Sequence, residues 1–489
     1  MSTKRPCLQV FELLVLALTL SACTELFPGF DKGDPSDNTD QNGPPGSSAH
    51  LDAPYRVGLN FIKLDVVSKA EDYNDWQEVY ADLRTLGAGG IRQIVPHDLG
   101  WHKLYLDGPF DDPDSYDFSA FDTIIDESED LHIIPTLFQL GPKAPELGGS
   151  WSEESDAHSP ASLYTPDMEI IDISDPLIKE KVRGYLEVVV NRYKDNILYY
   201  EIGNEIDVYG QNFSPELYAE LLNFAKETIK RLDAESKVVI GGLSGTIHAV
   251  LENNLDWLDS VLTSTKNFDI INMHYYDRWH ADEEGNGGLY NALVQLKELM
   301  AQHDISERPI WLSEVGSSNI GGTSVTPPHY VESSEDEQAR DIFRKFSLAF
   351  GNNVALANWH THLSSSQNPS EGWSGFGLRK SQGASVKAYH TYQLFSTELG
   401  DFTSCTALSQ GDQNVWAYRY TLNDEDDGEI NKWVAWTDLS AGASYHLSES
   451  TNTTVQITEV VSDSGGTFTT QSLDPANLTL TTIPILITE

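Results

Sequence analysis

The chain reads as an α/β protein, a (β/α)8 barrel followed by a small C-terminal antiparallel β-sandwich module. Three observations predict this. Between about residues 54 and 399, eight short apolar runs alternate with amphipathic, helix-like stretches. Beyond about Gly400 the pattern changes to period-two alternation broken by turn-rich segments, as in Val415-Trp416-Ala417-Tyr418-Arg419-Tyr420 and Lys432-Trp433-Val434-Ala435-Trp436. The length, 489 residues, exceeds what one core usually occupies and suggests a large domain plus a smaller one. A hydrophobic content of 39% with 10% aromatics is ample for a packed interior.

The elements follow in order. Residues 1–22 read as an export signal: Lys4 and Arg5, an apolar stretch centred on Leu13 to Leu20, then Ser21 and Ala22 before Cys23. The stretch is too short to span a bilayer comfortably, and Glu12 interrupts its start. Leu20-Ser21-Ala22-Cys23 resembles the lipobox of bacterial lipoproteins, which implies cleavage before Cys23 and acylation of its thiol. Thr24, by resemblance to their sorting pattern, favours the outer membrane, on its periplasmic or its outer face. Residues 23–50 are rich in Asp, Gly, Pro, Ser and Asn, cannot form a core, and read as a flexible tether.

The barrel is expected over residues 51–399, with strands at Tyr55 to Phe61, Gly90 to Val95, His132 to Phe138, Ile197 to Gly203, Lys237 to Gly242, Phe268 to His274, Pro309 to Glu314 and Val354 to His360. Pro176 to Arg192 is an intervening amphipathic stretch. Ser214-Pro215-Glu216 looks like a helix start, with a capping hydroxyl and proline in the first turn. Eight such units close most economically into a barrel, and a doubly wound open sheet is the alternative. Residues 400–489 form the β module. Its tip, Asn423-Asp424-Glu425-Asp426-Asp427-Gly428, is dense in carboxylates, but without EF-hand spacing it reads as a solvated hairpin loop rather than a calcium site.

The formal net charge of −44, from 31 basic and 75 acidic side chains, argues against nucleic acid as a partner. Such a surface suits a saline medium and disfavours long polyanionic substrates. With Cys7 in the signal and Cys23 acylated, Cys405 is the sole free thiol, so no internal disulfide forms and stability comes from packing. Cys405 reads as a small buried hydrophobe. A monomer is expected.

Two glutamates carry the chemistry. Glu205 closes Tyr199-Tyr200-Glu201-Ile202-Gly203-Asn204-Glu205, and Glu314 closes Pro309-Ile310-Trp311-Leu312-Ser313-Glu314. Each ends an apolar run that reads as a buried parallel strand, at the rim where barrel chemistry sits. Strands four and seven lie on opposite sides of a closed barrel mouth, so the two carboxyls should face each other. A pair held about 5 Å apart is the apparatus for breaking a glycosidic bond with retention: one protonated carboxyl assists the leaving oxygen while one carboxylate captures the anomeric carbon.

With those residues in view, the chain resembles the TIM-barrel clan of retaining glycoside hydrolases, clan A, over the whole barrel region. The clan's acid/base glutamate follows an asparagine at the end of strand four, matching Asn204-Glu205, and its nucleophile ends strand seven, matching Glu314. Its arginine on strand two matches Arg92, its His-x-Tyr of strand six matches His274-Tyr275-Tyr276, and its sugar-flooring aromatic on strand eight matches Trp359. The clan usually follows Asn-Glu with proline, whereas Ile206 and Asp207 follow here. The run Val190 to Asn196 leading into Tyr200 to Glu205, with a trailing β module, is most similar to family 39 hydrolases, and a family 5 type enzyme is next.

The resemblance implies roles that physical chemistry supports. Arg92 would orient Glu314 and keep it ionised, and Tyr276 would donate a hydrogen bond to it. Asn204 would bond the sugar 2-hydroxyl, His274 would contact Glu205 or the sugar, and Trp359 would offer an apolar face to the pyranose. Dividing the labour requires Glu205 to hold a proton beside a charged Glu314. The loop segments Gly141 to Asp167, with Trp151, and Ser317 to Ser334 are expected to wall the cleft. His97, Asp98, Trp101, Asp277, Arg278 and Trp279 are candidate subsite residues. The substrate is a poly- or oligosaccharide, with no metal and no cofactor. Two other readings remain: a non-catalytic carbohydrate-binding surface lipoprotein on the same barrel, and a metal-dependent hydrolase using His274, His360 and His362.

Overall fold

The computed structural model describes residues 53–489 apart from 63–75, 95–98, 100, 129, 139–170, 210–213, 245–247, 281–287, 321–333, 365–373, 381–382 and 425–427. The signal, Cys7, Cys23 and the tether lie outside the described residues, as do His97, Asp98, Trp151 and residues 425–427 of the module's acidic tip.

Eight parallel strands close a barrel in chain order. They are β1 Val57–Ile62, β2 Gly90–Ile94, β3 His132–Leu137, β4 Tyr199–Asn204, β5 Lys237–Ser244, β6 Ile271–Tyr275, β7 Ile310–Val315 and β8 Val354–His360. β8 returns beside β1, with His360 opposite Asn60, so the sheet has no open edge and the doubly wound alternative is excluded. The expected strands are all present, with ends shifted by a few residues. Register places Asn60 opposite Arg92, Thr136 opposite Glu201 and His274 opposite Glu314, and this phase faces the barrel interior.

The base of the interior is apolar, filled by Tyr55, Ile134, Tyr199, Val239, Ile270, Trp311, Ala355 and Leu356. Tyr55 lies across the first two strands, where a Cβ at Gly90 would stand 2.2 Å from its ring and one at Gly58 2.4 Å. Only glycine admits the ring there. The opposite face of each strand joins the larger core against the outer helices.

Those helices start where the chain supplies caps. Before the helix Pro215–Leu232, the Ser214 hydroxyl accepts the Leu217 N–H at 3.3 Å, and Tyr218, Leu221, Leu222, Ala225 and Ile229 form its buried stripe. Asp175 caps the helix Pro176–Tyr193 in the same way, accepting the Leu177 N–H at 2.7 Å. Among the described residues, no helix is long and apolar enough to cross a membrane.

The C-terminal module is a six-stranded antiparallel sheet in the order β14-β13-β16-β11-β10-β9. Its strands are β9 Ser404–Gln410, β10 Val415–Asp424, β11 Gly428–Thr437, β13 Val455–Glu459, β14 Thr470–Leu473 and β16 Ile485–Thr488. A two-stranded ribbon of β12 Ala443–Tyr445 and β15 Leu478–Leu480 shares an apolar cluster with one face, through Leu478, Leu480, Val415, Trp433, Ile457 and Ile487. The alternate residues Trp416, Tyr418, Tyr420, Val434, Trp436 and Leu486 belong to the barrel's own core. Period-two alternation therefore serves two cores at once. Cys405 is half-buried on β9, its thiol pushed up by burial, as expected of a packing residue.

Candidate active site

The carboxyl rim is organised around Arg92, which is wholly buried. Its Nε and Nη2 donate to the two oxygens of Glu201, the latter at 2.8 Å. Nη2 also donates to Asn204 Oδ1 at 2.7 Å, and Nη1 to Glu314 Oε1 at 2.5 Å. One guanidinium thus ties β2 to β4 and β7. Glu201 accepts further bonds from the Gly242 N–H at 2.9 Å, Asn272 Nδ2 at 2.8 Å and Thr136 Oγ1 at 3.2 Å. A buried carboxylate so supplied meets its desolvation cost with charge-assisted bonds.

Glu205 lies just past β4, where the chain turns sharply. Gly203 has φ +80° and Glu205 itself φ +47°, a left-handed conformation that costs a non-glycine residue about 1–2 kcal/mol. The Glu205 N–H donates to the Gly242 carbonyl at 2.9 Å, which holds the turn in place. This turn brings Glu205 over the barrel mouth, with 8% of its surface exposed against 5% for Glu314. His274 on β6 stands between the two, its Nδ1 2.8 Å from Glu205 Oε1 and 3.6 Å from Glu314 Oε2, while its Nε2 lies 3.1 Å from Ser313 Oγ. A Cβ at residue 242 would meet His274 Nε2 at 2.0 Å, so Gly242 makes room for the imidazole. One carboxylate oxygen of Glu205, one of Glu314 and a ring nitrogen of His274 all lie within 4.8 Å of one another.

Electrostatics separate the two glutamates' surroundings. Burial opposes ionisation of Glu314, but His274, Arg92 and the Tyr276 hydroxyl overcome it and hold its carboxyl down to about 2. The Tyr276 O–H donates to Glu314 Oε2. Burial pushes the His274 proton off, and Glu314 and Glu205 more than compensate, raising its pKa. His360 Nδ1 also lies 3.6 Å from Glu314 Oε2, yet burial lowers its pKa to about 4, so near neutrality it is an uncharged ring accepting the Asn60 amide at 3.1 Å. Asp207, two residues past Glu205, is pushed up to about 7 by burial and by Glu205, and accepts the Ser244 N–H at 3.0 Å.

The structure thus brings together Arg92, Asn204, Glu205, His274, Tyr276 and Glu314. It does not bring Trp359 there. That side chain is 0% exposed, packed edge-on at 6.0 Å against Phe346 of the helix Glu335–Gly351. Strand alternation is the reason, since Trp359 shares the outward phase with Leu59 and Val315 while the next residue, His360, faces in. Trp101 and Trp279 are also packing residues: Trp101 stacks on Tyr185 at 5.0 Å, and Trp279 sits edge-on to Trp416 and Trp436 of the β module at 5.3 and 5.5 Å. Asp277 is buried and Arg278 exposed.

His274 and His360 both approach Glu314, but His362 is turned away to Asp82 at 2.6 Å, so the three histidines form no common metal site. Sequence reasoning missed Glu201 as a site residue, and it placed His360 only in the metal-dependent alternative. Glu201 had a signal, because a charged residue inside an apolar strand must have a buried partner.

No protein-family model matches the chain, and no curated protein matches it. Solved structures do. A family 39 glycoside hydrolase from the gut symbiont Bacteroides cellulosilyticus WH2 is similar at 16% identity and a TM-score of 0.61, covering 91% of this chain and 82% of that one. A monomeric beta-xylosidase from Caulobacter crescentus CB15 is similar at 14% identity and a TM-score of 0.53, covering 89% and 95%. A bifunctional glucanase-xylanase from a metagenome library is similar at 13% identity and a TM-score of 0.54, covering 89% and 96%. The structural neighbours are glycoside hydrolases on the same barrel. At these identities the likeness establishes the shared fold.

Proposed function

We propose that this chain is a retaining glycoside hydrolase that cleaves O-glycosidic bonds of a poly- or oligosaccharide by double displacement. The observation that carries the reading is that one carboxylate oxygen of Glu205 and one of Glu314 lie within 4.8 Å of each other across the barrel mouth, an approach in keeping with the roughly 5–5.5 Å between the carboxyl groups of retaining pairs rather than the roughly 6.5–9.5 Å of inverting ones. The names of the structural neighbours point the same way.

In the first step Glu314, ionised and held by Arg92 and Tyr276, attacks the anomeric carbon while Glu205 transfers its proton to the departing oxygen. In the second, Glu205 takes a proton from water, the resulting hydroxide displaces Glu314, and the sugar leaves with its configuration retained. Arg92 occupies Asn204 Oδ1, which directs the Asn204 amide nitrogen to donate to the sugar 2-hydroxyl. His274 would fix the position of Glu205 through their 2.8 Å contact. We further propose a monomer tethered by acylated Cys23 to the bacterial outer membrane, a reading that rests on the signal and lipobox pattern alone.

The test is a screen of aryl glycosides and polysaccharides, followed by trapping with an activated 2-fluoro glycoside of the responding sugar. A covalent adduct on the peptide bearing Glu314, and product first released with the substrate's anomeric configuration, are expected. Inverted product ends the reading. Sugar binding without turnover would favour the non-catalytic alternative, and loss of activity to a strong chelator the metal-dependent one.

A further inference from the structure

The end of the barrel opposite the glutamates holds a cavity of about 190 Å³ lined by Lys297, Met300, Ser306, Arg308, Ile310 and Asn353. Ile310 opens β7 and Glu314 nearly closes it, so the cavity and the rim site lie at opposite ends of one strand. Two of the six lining residues are cations and none is an acid. In a chain with 75 acidic and 31 basic side chains that balance is unexpected, since a cation here has acids in excess to choose from.

Neither cation forms an ion pair among the described residues. Lys297 is half-buried on the helix Leu289–Gln302, and burial alone pulls its ammonium down to about 8. Arg308 lies over the Phe268 ring, 4.3 Å from its centre, and donates from Nη2 to the Lys266 carbonyl at 2.6 Å. Its Nη1 is buried with no hydrogen-bond partner. Burial lowers Arg308 as well; Glu307 and Asp269 oppose this, but Asp269 is already engaged by Lys226 at 2.7 Å and the Val238 N–H at 2.8 Å. Two partly desolvated cations on one cavity, neither of them in an ion pair, are an arrangement that a bound anion relieves.

We propose that this cavity is an anion-binding site for a small tetrahedral oxyanion, sulfate or phosphate, held by the Lys297 ammonium and the Arg308 guanidinium, with the Ser306 hydroxyl and Asn353 amide as further donors. The cavity is large enough for such an ion together with water. Arginine and lysine supply the fork and the point charge that oxyanions select.

The experiment uses the full chain and follows its thermal midpoint during titration with sodium sulfate and, separately, sodium phosphate, with ionic strength matched by sodium chloride. A saturable rise of several degrees, half-complete at concentrations on the order of millimolar, is expected with at least one of the two ions. In Lys297→Met the rise disappears, while the midpoint in chloride alone is unchanged or higher because a desolvated charge has gone. In Glu314→Gln the rise is fully kept, which separates this site from Arg92 at the rim. Isothermal titration of sulfate and phosphate into the wild type and Lys297→Gln gives the same decision should the methionine variant not fold. No rise with either ion, a rise without saturation, one that persists in Lys297→Met, or one lost in Glu314→Gln overturns the proposal.

Discussion

At the base of the barrel, Tyr55, Tyr199, Val239 and Trp311 fill the interior with apolar surface, whereas a few residues further along the same strands the interior is given to Arg92, Glu201, His274 and Glu314. Both regions are close-packed and both use the inward phase of strand alternation. They differ in what a lost side chain leaves behind. At the base a truncation leaves a cavity, and at the rim it leaves a buried charge without its partner. The base accordingly sustains the fold, while the rim spends stability on geometry, including the left-handed backbone at Glu205.

The largest expected effect comes from removing the proposed nucleophile. Glu314→Gln should lower kcat by on the order of a thousandfold or more with the fold intact, measured on an aryl glycoside alongside circular dichroism. Retention of even a tenth of wild-type turnover would remove Glu314 as nucleophile.

Two truncations set base against rim directly. Arg92→Met should cost about 3–5 kcal/mol in denaturant unfolding, because Glu201 is left buried without its counter-ion and Glu314 keeps only His274, and should abolish turnover as well. Trp311→Ala should cost a similar 3–5 kcal/mol through its cavity, yet leave kcat of the folded fraction within a few-fold of wild type. Equal catalytic damage from both would dissolve the distinction.

Acid tolerance gives a smaller effect with a definite sign. Glu314 is lowered from 4.5 to about 2, so its ionisation contributes stability that is fully present above about pH 4.5 and is lost as pH falls toward about 2. Glu314→Gln should flatten the stability curve over that window and leave it parallel to wild type above it. The smallest effect is expected at Trp359, whose burial against Phe346 makes it a core residue. Trp359→Phe should change stability by under about 2 kcal/mol and leave KM within twofold, whereas a sugar platform would show a KM rise of tenfold or more.

Much of this arrangement was legible beforehand. The spacing of apolar runs, with Glu205 and Glu314 at the ends of the fourth and seventh, is a local property of the chain, and closure of eight parallel strands then brings the two across one mouth. Trp359 shows where such reading stops: an aromatic next to a strand end can face the sugar or the helices, and a single residue of register decides between them. Trp101 and Trp279 carry the same ambiguity, because the residues that bury them, Tyr185 in one case and Trp416 and Trp436 in the other, are far away in sequence.

By itself, then, the order of residues determined the barrel, the module that follows it and the two glutamates, because hydrophobic period and turn chemistry act over a few neighbouring positions. Tertiary structure alone decided that Arg92 is shared between Glu201 and Glu314, that His274 joins the two glutamates, that His360 rather than Trp359 faces the mouth, and that Lys297 and Arg308 meet on one cavity. Those outcomes depend on which side chains desolvate together, and burial, unlike period, is a property of the whole folded chain.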